Sequence, residues 1–455
     1  MSRVGWKPHA AYILFLCIAL AMAVLSACDD STAADADEPT ASLQNSNSSS
    51  KKSSSSNKKS SSSKNTYPES FKPNDKEYPY ANIPRIVIYT ENKQKIKDRE
   101  TEIPAKLQIW GKKEAESEIM DLTIRGRGNT SWNMPKKSYK IEFVKKQSML
   151  GMPKDKDWAL IANYADKSLM RNYIAYRLSA ALGAYYAPRC EFAEFYLNGE
   201  YLGVYLVTET IKISKNRVNI PKDDYSYIVE VDGRYNENEQ VVFSDVITEN
   251  GTGKAFRIHD PKNATDNVLD TVLNHIRNFE KILKTIQTGK DNSIDKWIDV
   301  DESVKHYWVQ ELSRNTDARF YTSVFFTWVN GEKIKMGPVW DFDLAFGNHG
   351  TEKNNAIEDW FIRIYWYKHL FLDSMYREYA KKTWNDNFHL FESVLDTIDE
   401  VSVKLKNSIK NNFKRWNVLG VSEGCLHQSY DSYEDAVGDL KDWLSKRIQW
   451  ISSQY

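Results

Sequence analysis

Apolar residues change their spacing part-way along the chain, and this change constrains the fold more than any other feature. Within residues 84–145 they form short runs, and residues 137–143 alternate polar and apolar with a period of two, which predicts strands. In residues 268–286 they recur three and four positions apart, as in an amphipathic helix. A strand-rich first half joined to a helix-rich second half predicts a two-lobed α+β protein.

Turn and cap residues predict where individual elements begin and end. Residues 169–182 have helical spacing, with Asp166 as the N-cap and Gly183 as the stop. Asn198-Gly199 lies between two alternating apolar runs, which is the strongest short-range signal for a β-hairpin. The other predicted elements are strands in residues 227–231 and 319–347 and helices in residues 268–289, 302–314 and 434–452.

The first residues of the chain are organised as an export signal. Arg3 and Lys7 precede an apolar run over residues 10–25, which is too short and wrongly flanked for a permanent membrane span. Small residues then lead into Cys28, a spacing that resembles a lipobox, in which the chain is cut before the cysteine and the thiol is acylated. We therefore expect a lipoprotein signal peptide over residues 1–27 and a lipid-anchored protein of the cell envelope, periplasmic or at the cell surface. The alternatives are an ordinary signal peptide and an uncleaved anchor helix.

Residues 28–74 are rich in serine and lysine and predict a disordered tether. Serine runs at 48–50, 53–56 and 60–63 are separated by lysine pairs. So few apolar side chains are present that their burial cannot offset the entropy of ordering the segment. A spacer between membrane and folded domain accounts for this composition, and phosphorylation or glycosylation of the serines is the alternative. Folded structure is predicted in residues 75–455.

Composition excludes several kinds of partner. The formal net charge is zero and no basic run lies outside the tether, which argues against nucleic-acid binding. Neither cysteine nor histidine has the spacing of a zinc site. Of the four cysteines, Cys17 lies in the signal and Cys28 is the lipidation candidate. The remaining two, Cys190 and Cys425, could pair in an oxidising compartment.

Asp341 and Asp343 form the sharpest local signal for chemistry. They stand at alternate positions shortly after Gly337-Pro338, so in an extended chain both carboxylates point the same way. Hard divalent cations require oxygen ligands placed in this manner. The pair therefore predicts a metal site, and the alternative is a pair of solvent-facing loop aspartates.

A glycine-rich turn between two predicted strands is a candidate phosphate site. Its residues are Arg125, Gly126, Arg127, Gly128 and Asn129. Backbone amides in such a turn can cradle phosphate oxygens, and the flanking cations favour an anion. The alternative is a basic turn on the surface.

Lys137 and Asp317 complete a set of parts for phosphoryl transfer. Lys137 shares a strand face with Tyr139, Ile141 and Phe143, where an ammonium needs an anionic partner. Asp317 follows a predicted helix end, and its alternative role is that of a turn residue. Phosphoryl transfer uses a loop over phosphates, a lysine, an acid near the acceptor hydroxyl and a metal-binding acid. The glycine-rich turn, Lys137, Asp317 and Asp341 could supply these parts in that order.

Blocks of sequence in preserved order strongly resemble the CotH family, the spore-coat protein H-like atypical protein kinases. The resemblance covers about residues 84–350 and is more specific than any single motif. The blocks are residues 125–141, 150–153, 157–158, 163–164, 169–172, 196–201, 203–205, 208–209, 216–220, 315–317 and 340–347. The resemblance implies a diverged protein-kinase-like fold, with an N-terminal lobe over about residues 84–210 and a C-terminal lobe over about 211–455. It also implies binding of ATP and of Mg²⁺ or Mn²⁺, and phosphorylation of serine or threonine.

The resemblance assigns roles to individual positions. Lys137 corresponds to the phosphate-contacting lysine, and Glu209 to the beginning of the nucleotide-binding segment between the lobes. Asp317 corresponds to the acid that orients the acceptor hydroxyl. Asp341 corresponds to the principal metal ligand, with Asp343 beside it.

One departure from the family pattern leaves two functional hypotheses open. The family often has an asparagine shortly after the position of Asp317, which helps to hold a second metal, but this chain has Tyr-Thr-Ser at 321–323. The first hypothesis is a lipid-anchored, extracytoplasmic serine/threonine kinase that acts on surface proteins, with autophosphorylation of the tether serines as a testable case. The second is a catalytically weak or inactive assembly or binding protein of the cell surface on the same scaffold.

Overall fold

The computed structural model describes residues 67–235, 240–287 and 292–455. The predictions of a signal peptide over 1–27, of lipidation at Cys28 and of a tether over most of 28–74 fall outside the described residues. The part from Tyr67 to Tyr455 forms one compact unit. Among the helices that are described, none combines the length and apolar composition that a membrane crossing requires.

Within residues 67–235, seven strands close into a barrel. They are β1 (Arg85–Thr90), β2 (Ile103–Trp110), β3 (Met120–Arg127), β4 (Ser138–Met149), β5 (Met152–Ile161), β6 (Cys190–Leu197) and β7 (Glu200–Glu209). Their order around the barrel is β1-β2-β3-β4-β5-β7-β6, and parallel pairing of β1 with β6 closes the circle. Alternate residues such as Ile86, Ile88, Ile124 and Ile141 are fully buried and fill one apolar core, as the period-two pattern requires.

The hairpin predicted at Asn198-Gly199 is confirmed as the β6–β7 turn. Both residues have positive φ, 54° and 90°, the conformation that two-residue hairpin turns demand. The amide side chain of Asn198 also binds the end of β1, because its Oδ1 accepts from the backbone N–H of Thr90 at 2.9 Å. A locally encoded turn thus fastens the strand that closes the barrel.

Strand β6, which pairs with β1 to close the barrel, carries a buried carboxyl group. Oε1 of Glu194 accepts hydrogen bonds from Tyr201 Oη at 2.9 Å and from Asn411 Nδ2 at 2.8 Å. Burial raises the pKa of Glu194 to about 7, although these donors and Arg85 favour the charged form. Because the pKa is higher in the folded protein, the stability that this group contributes is fully present below its ordinary pKa of 4.5 and is lost as the pH rises through about 7.

We expect Glu194→Gln to remove this pH dependence. Between about pH 4 and pH 8, the free energy of unfolding of the wild type should fall by up to about 3 kcal/mol relative to the variant, at about 1.4 kcal/mol for each pKa unit. Chemical denaturation across this range measures the difference, and subtracting the two profiles removes acids that titrate in both proteins. Parallel profiles would contradict the prediction.

A second sheet follows the barrel, and the described residues place five strands in it. They are β8 (Ser226–Val231), β9 (Val241–Glu249), β10 (Thr252–Asp260), β11 (Val324–Val329) and β12 (Lys335–Met336). Their order is β12-β11-β8-β10-β9. Strand β8 and the region of β11 were predicted from the sequence. The β9–β10 hairpin was not, although its turn residues Asn250 and Gly251 both have positive φ.

Ten α-helices are present in the described part of the chain. They are α1 (Thr130–Asn133), α2 (Arg171–Ala181), α3 (Asp266–Thr285), α4 (Val300–Ser313), α5 (Glu352–Asn355), α6 (Tyr365–Leu370), α7 (Ser374–Asp386), α8 (Phe388–Leu405), α9 (Ser408–Arg415) and α10 (Tyr433–Ser453). The predicted helices at 169–182, 268–286, 302–314 and 434–452 correspond to α2, α3, α4 and α10. The predicted end at Gly289 lies outside the described residues. Asp166 stands ahead of the N-cap of α2 but still accepts from the first helical N–H, that of Arg171, at 2.9 Å.

The α+β class is confirmed, with strands concentrated in the N-terminal region and helices in the C-terminal region. The finer expectation of a protein-kinase-like fold is not confirmed, because the N-terminal strands close into a barrel through the β1–β6 pairing. This pairing joins segments more than a hundred positions apart, for which the sequence contains no local signal.

Cys190 and Cys425 are free thiols, so the disulfide considered from the sequence is not formed. Cys190 begins β6, where burial raises the pKa of its thiol and Arg177 and Glu191 are its charged neighbours. Lys167 is a charged neighbour of Cys425. The two thiols therefore occupy different surroundings.

Candidate active site

A cavity of about 480 Å³ opens between the barrel, the five-stranded sheet and the loop that contains residues 340–344. This volume is within the range of small-molecule sites. The residues singled out from the sequence that line it are Arg125, Arg127, Gly128, Asn129, Asp317, Asp341 and Asp343. The structure therefore brings the glycine-rich turn and the three acids together, whereas Gly126, Lys137 and Glu209 do not line this cavity.

The end of α4 positions two of the acids. Arg314 adopts the left-handed conformation that ends the helix, with φ of 50°. Asn315 follows, and its Nδ2 donates to the backbone oxygen of Asp341 and to Oε1 of Gln310, both at 3.0 Å. The same side chain accepts the N–H of Asp317 at 3.2 Å. One amide thus ties the chain at Asp317 to the loop that carries Asp341.

Helix α2 holds the third acid. Nδ2 of Asn172 donates to Oδ1 of Asp343, and Oδ1 of Asn172 accepts the N–H of Phe342 at 2.9 Å. Nδ2 of Asn348 donates to the backbone oxygen of Asp343 at 2.7 Å. Asp341 itself has φ of 62°, a conformation that an L-residue keeps only when its surroundings enforce it. The loop is therefore fixed from two sides.

The three carboxylates lie in surroundings that disfavour their charge. Burial, together with the charge of the neighbouring Asp341, raises the pKa of Asp343 to about 7. The same two causes raise the pKa of Asp317 to about 7, against the opposing effect of Arg234. Burial also raises the pKa of Asp341, while Arg127 and Arg234 lower it. Acids that repel one another in a cavity are typical of functional sites, because a bound cation relieves the repulsion.

These donors fit a hard divalent cation. All are carboxylate oxygens, the ligands that Mg²⁺ and Mn²⁺ prefer. In the part of the chain that the structure describes, no three His, Cys, Asp or Glu side chains are grouped closely enough to hold a metal ion by themselves. Mg²⁺ is usually bound by one or two carboxylates together with substrate phosphates, so the pair Asp341 and Asp343 is sufficient on the protein side.

The glycine-rich turn is held rigidly at the edge of the cavity. The guanidinium of Arg99 donates to the backbone oxygen of Gly128 at 3.0 Å and to Oδ1 of Asn129 at 2.7 Å. The N–H of Gly126 donates a hydrogen bond to the backbone oxygen of Asp98 at 3.0 Å. A Cβ on Gly126 would lie 2.3 Å from the ring of Trp132, so only glycine fits there.

Arg127 supplies a cation inside the cavity. Its Cζ lies 4.8 Å from the centre of the Trp340 ring. Burial lowers the pKa of Arg127, and Asp341 opposes this shift. Arginine remains charged in proteins and has five N–H donors, so Arg127 is suited to binding phosphate oxygens.

Lys137 and Glu209 are engaged elsewhere. Lys137 lies just before β4, and its ammonium donates to the backbone oxygen of Trp132 at 2.6 Å and lies 4.7 Å from the centre of the Trp132 ring. Glu209 is fully buried at the end of β7, where it accepts from Arg189 Nε at 2.8 Å, Arg217 at 2.7 Å and Tyr186 Oη at 3.1 Å. The geometry of Glu209 is that of a structural ion pair.

Charged residues from the second sheet also line the cavity and were missed from the sequence. The carboxylate of Glu230 on β8 pairs with Arg257 and His259 of β10, and Arg257 also lies 3.3 Å from Asp232. Arg234 follows β8 and lies 3.5 Å from Asp317. The signal that could have found them is Glu230, a carboxylate inside an otherwise apolar strand run.

Comparison with known families supports this site. The model of the family described as CotH kinase protein matches residues 124–451, which is more than half of the chain and includes every cavity residue named above except Arg99. The chain therefore belongs to the CotH kinase family. A comparison with curated protein sequences found no match.

Proposed function

We propose that this chain is an atypical protein kinase that transfers the γ-phosphate of ATP to serine or threonine, with Mg²⁺ or Mn²⁺ as its metal. The observation that carries the proposal is the convergence of Asp317, Asp341, Asp343 and Arg127 on one cavity. These residues come from three separate parts of the chain, so their meeting is a property of the fold. Membership of the CotH kinase family supports the same reaction.

Each acid has a role in the proposed reaction. Asp341 and Asp343 would hold the cation, which when bound neutralises phosphate charge. Asp317 receives and orients the acceptor hydroxyl, since phosphoryl transfer depends mainly on positioning and on electrostatic stabilisation. Arg127 binds phosphate oxygens from the barrel side. Asn172 and Asn315 keep the two loops at a fixed separation.

Contact of Lys137 with phosphate stays a prediction, and in this structure it requires the ammonium to leave the backbone oxygens of Trp132 and Met134. We expect Arg127→Met to weaken Mg·ATP binding about 10-fold or more, the effect of losing a charged hydrogen bond, and Lys137→Met to weaken it less than about 3-fold. Titration calorimetry measures both. A greater loss with Lys137→Met would show that its ammonium turns to the nucleotide.

We further propose that the kinase acts outside the cytoplasm, anchored by lipid on Cys28. The supporting observations are the apolar run over residues 10–25, the small residues before Cys28 and the serine-lysine composition of the tether. Surface proteins are the proposed acceptors, and serines of the tether are the nearest ones in the same chain. Palmitate labelling of the wild type and of Cys28→Ser in cells tests the anchor.

The test of the reaction is transfer of labelled phosphate from ATP by purified residues 29–455 with Mg²⁺ or Mn²⁺. Wild type, Asp341→Asn and Asp399→Asn are compared on the protein itself and on casein-like acceptors. Asp399 is an exposed residue paired with Lys441 and serves as the matched control. Label that is retained in Asp399→Asn and lost in Asp341→Asn establishes a kinase, and mapping the labelled residues shows whether the tether is an acceptor. A folded wild type without label indicates the surface assembly protein instead.

A further inference from the structure

A turn after β8 is bound to the segment that contains Asp317. The N–H of Gly233 donates to the backbone oxygen of Tyr321 at 2.7 Å. Oγ1 of Thr322 donates to Oδ1 of Asp232 at 3.4 Å, and the same carboxylate oxygen accepts the N–H of Arg234 at 2.9 Å. A Cβ on Gly233 would lie 3.1 Å from the Tyr321 ring, so glycine allows this close approach. The two segments are therefore held in register with each other.

Arg234 extends from this turn to Asp317. Its Nη2 lies 3.5 Å from Oδ1 of Asp317, and in the described part of the chain no other side chain forms an ion pair with that carboxylate or donates a hydrogen bond to it. The nearby carboxylates of Asp341 and Asp343 repel that of Asp317. The attraction that fixes the direction of the Asp317 carboxylate therefore comes from Arg234.

Tyr321 restrains Arg234 in turn. The guanidinium lies 5.2 Å from the centre of the Tyr321 ring, which is within the distance of a cation–π contact. A free arginine side chain has about 2 kcal/mol of rotamer entropy to lose, and the ring reduces what is lost when Arg234 meets Asp317. About one third of the Arg234 side chain remains exposed, and the residue lines the cavity.

We propose that Arg234 is a positioning residue for the transfer reaction. It acts through Asp317, and its cation–π contact with the Tyr321 ring restrains its side chain. The inference rests on the proposed kinase function. An acid that orients a hydroxyl has to point one way, since a displacement of about 1 Å costs on the order of 100-fold in rate. In this proposal Arg234 supplies that direction through its contact with Asp317 and does not bind the nucleotide. Its loss should therefore lower kcat and leave the KM for ATP unchanged.

Steady-state kinetics of the full chain test this role. We expect Arg234→Ala to lower kcat about 10- to 100-fold, with the KM for ATP unchanged and an unchanged melting temperature. Arg234→Lys should recover part of the loss because it restores the charge, and Tyr321→Phe should be close to wild type because it keeps the ring. Arg277→Ala is the matched control, since Arg277 is similarly exposed and pairs with Asp245 away from the cavity.

A double-mutant cycle separates action through Asp317 from an independent effect. If Arg234 acts through Asp317, then Arg234→Ala has no further effect on the residual rate of Asp317→Asn. An equal loss in both backgrounds overturns the positioning role, as does a rise in the KM for ATP without a change in kcat. A wild type that transfers no phosphate overturns the proposed function and this role together, whereas an active wild type with an unaffected Arg234→Ala overturns this role alone.

Discussion

Asp341→Asn is expected to lower phosphate transfer at least about 100-fold. Replacement of residues that only support a metal ligand typically costs 10- to 100-fold, and removal of a direct ligand should reach or exceed the upper end of that range. Asparagine keeps the shape of the side chain but removes the charge. In addition, it removes the carboxylate that raises the pKa of both Asp317 and Asp343. The variant should therefore fold and be at least as stable as the wild type.

The combination of lost activity and retained stability distinguishes a functional acid from a structural one. Activity is measured by transfer of labelled phosphate, metal affinity by Mn²⁺ titration, and stability by thermal unfolding. Unchanged Mn²⁺ and nucleotide affinities in Asp341→Asn would contradict the assignment of Asp341 as a metal ligand. Lower stability together with lower activity would instead make the loop 340–344 a structural feature.

Arg447→Met is expected to lower the free energy of unfolding by about 3 to 5 kcal/mol, the usual cost of breaking a buried ion pair from one side. Glu311 and Arg447 are both fully buried, and Nη2 of Arg447 donates to Oε1 of Glu311 at 2.6 Å. The carboxylate of Glu311 also accepts the N–H groups of Phe361 at 2.8 Å and Ile362 at 2.9 Å. Without Arg447, Glu311 would keep a buried charge that has lost its ion-pair partner.

Denaturant unfolding measures this loss, with Arg177→Met as the control at an exposed arginine of α2. Adding Glu311→Gln to Arg447→Met should restore part of the stability, because the amide oxygen can still accept an N–H while the buried charge is gone. A loss below about 1 kcal/mol in Arg447→Met would show that the pair contributes little. Since domains are stable by only about 5 to 15 kcal/mol, the expected loss is a large fraction of the total.

The elements that sequence reasoning found are those with a complete local signal. Asn198-Gly199 and the apolar spacing of α3 each specify their structure within a few residues. The β9–β10 hairpin has a similar signal at Asn250-Gly251, but its strands carry exposed polar residues and Phe243 faces outward, so the alternation is blurred. Closure of the barrel through β1 and β6 has no local signal, because it depends on which distant segments pair.

In the candidate site, too, residues with a local sequence signal could be predicted and contacts between distant segments could not. Asp341 and Asp343 could be identified because two positions of one loop carry the information. Glu230 and Arg257 come from different strands and become neighbours only through the pairing of β8 with β10. Lys137 was placed by the period-two rule on an apolar strand face, but β4 begins at Ser138. In the preceding turn its ammonium can reach backbone oxygens, so the anionic partner expected for it was not needed.

The ion pair between Glu311 and Arg447 also affects the stage of synthesis at which the candidate site can be complete. The two residues are 136 positions apart, and α4, which carries Glu311, leads directly to Asp317. During synthesis Asp317, Asp341 and Asp343 therefore leave the ribosome well before α10, the helix whose Arg447 binds the C-terminal end of α4. A nascent chain would hold all three acids without their final support. The proposed kinase activity would then arise only after α10 has been translated and has packed against α4.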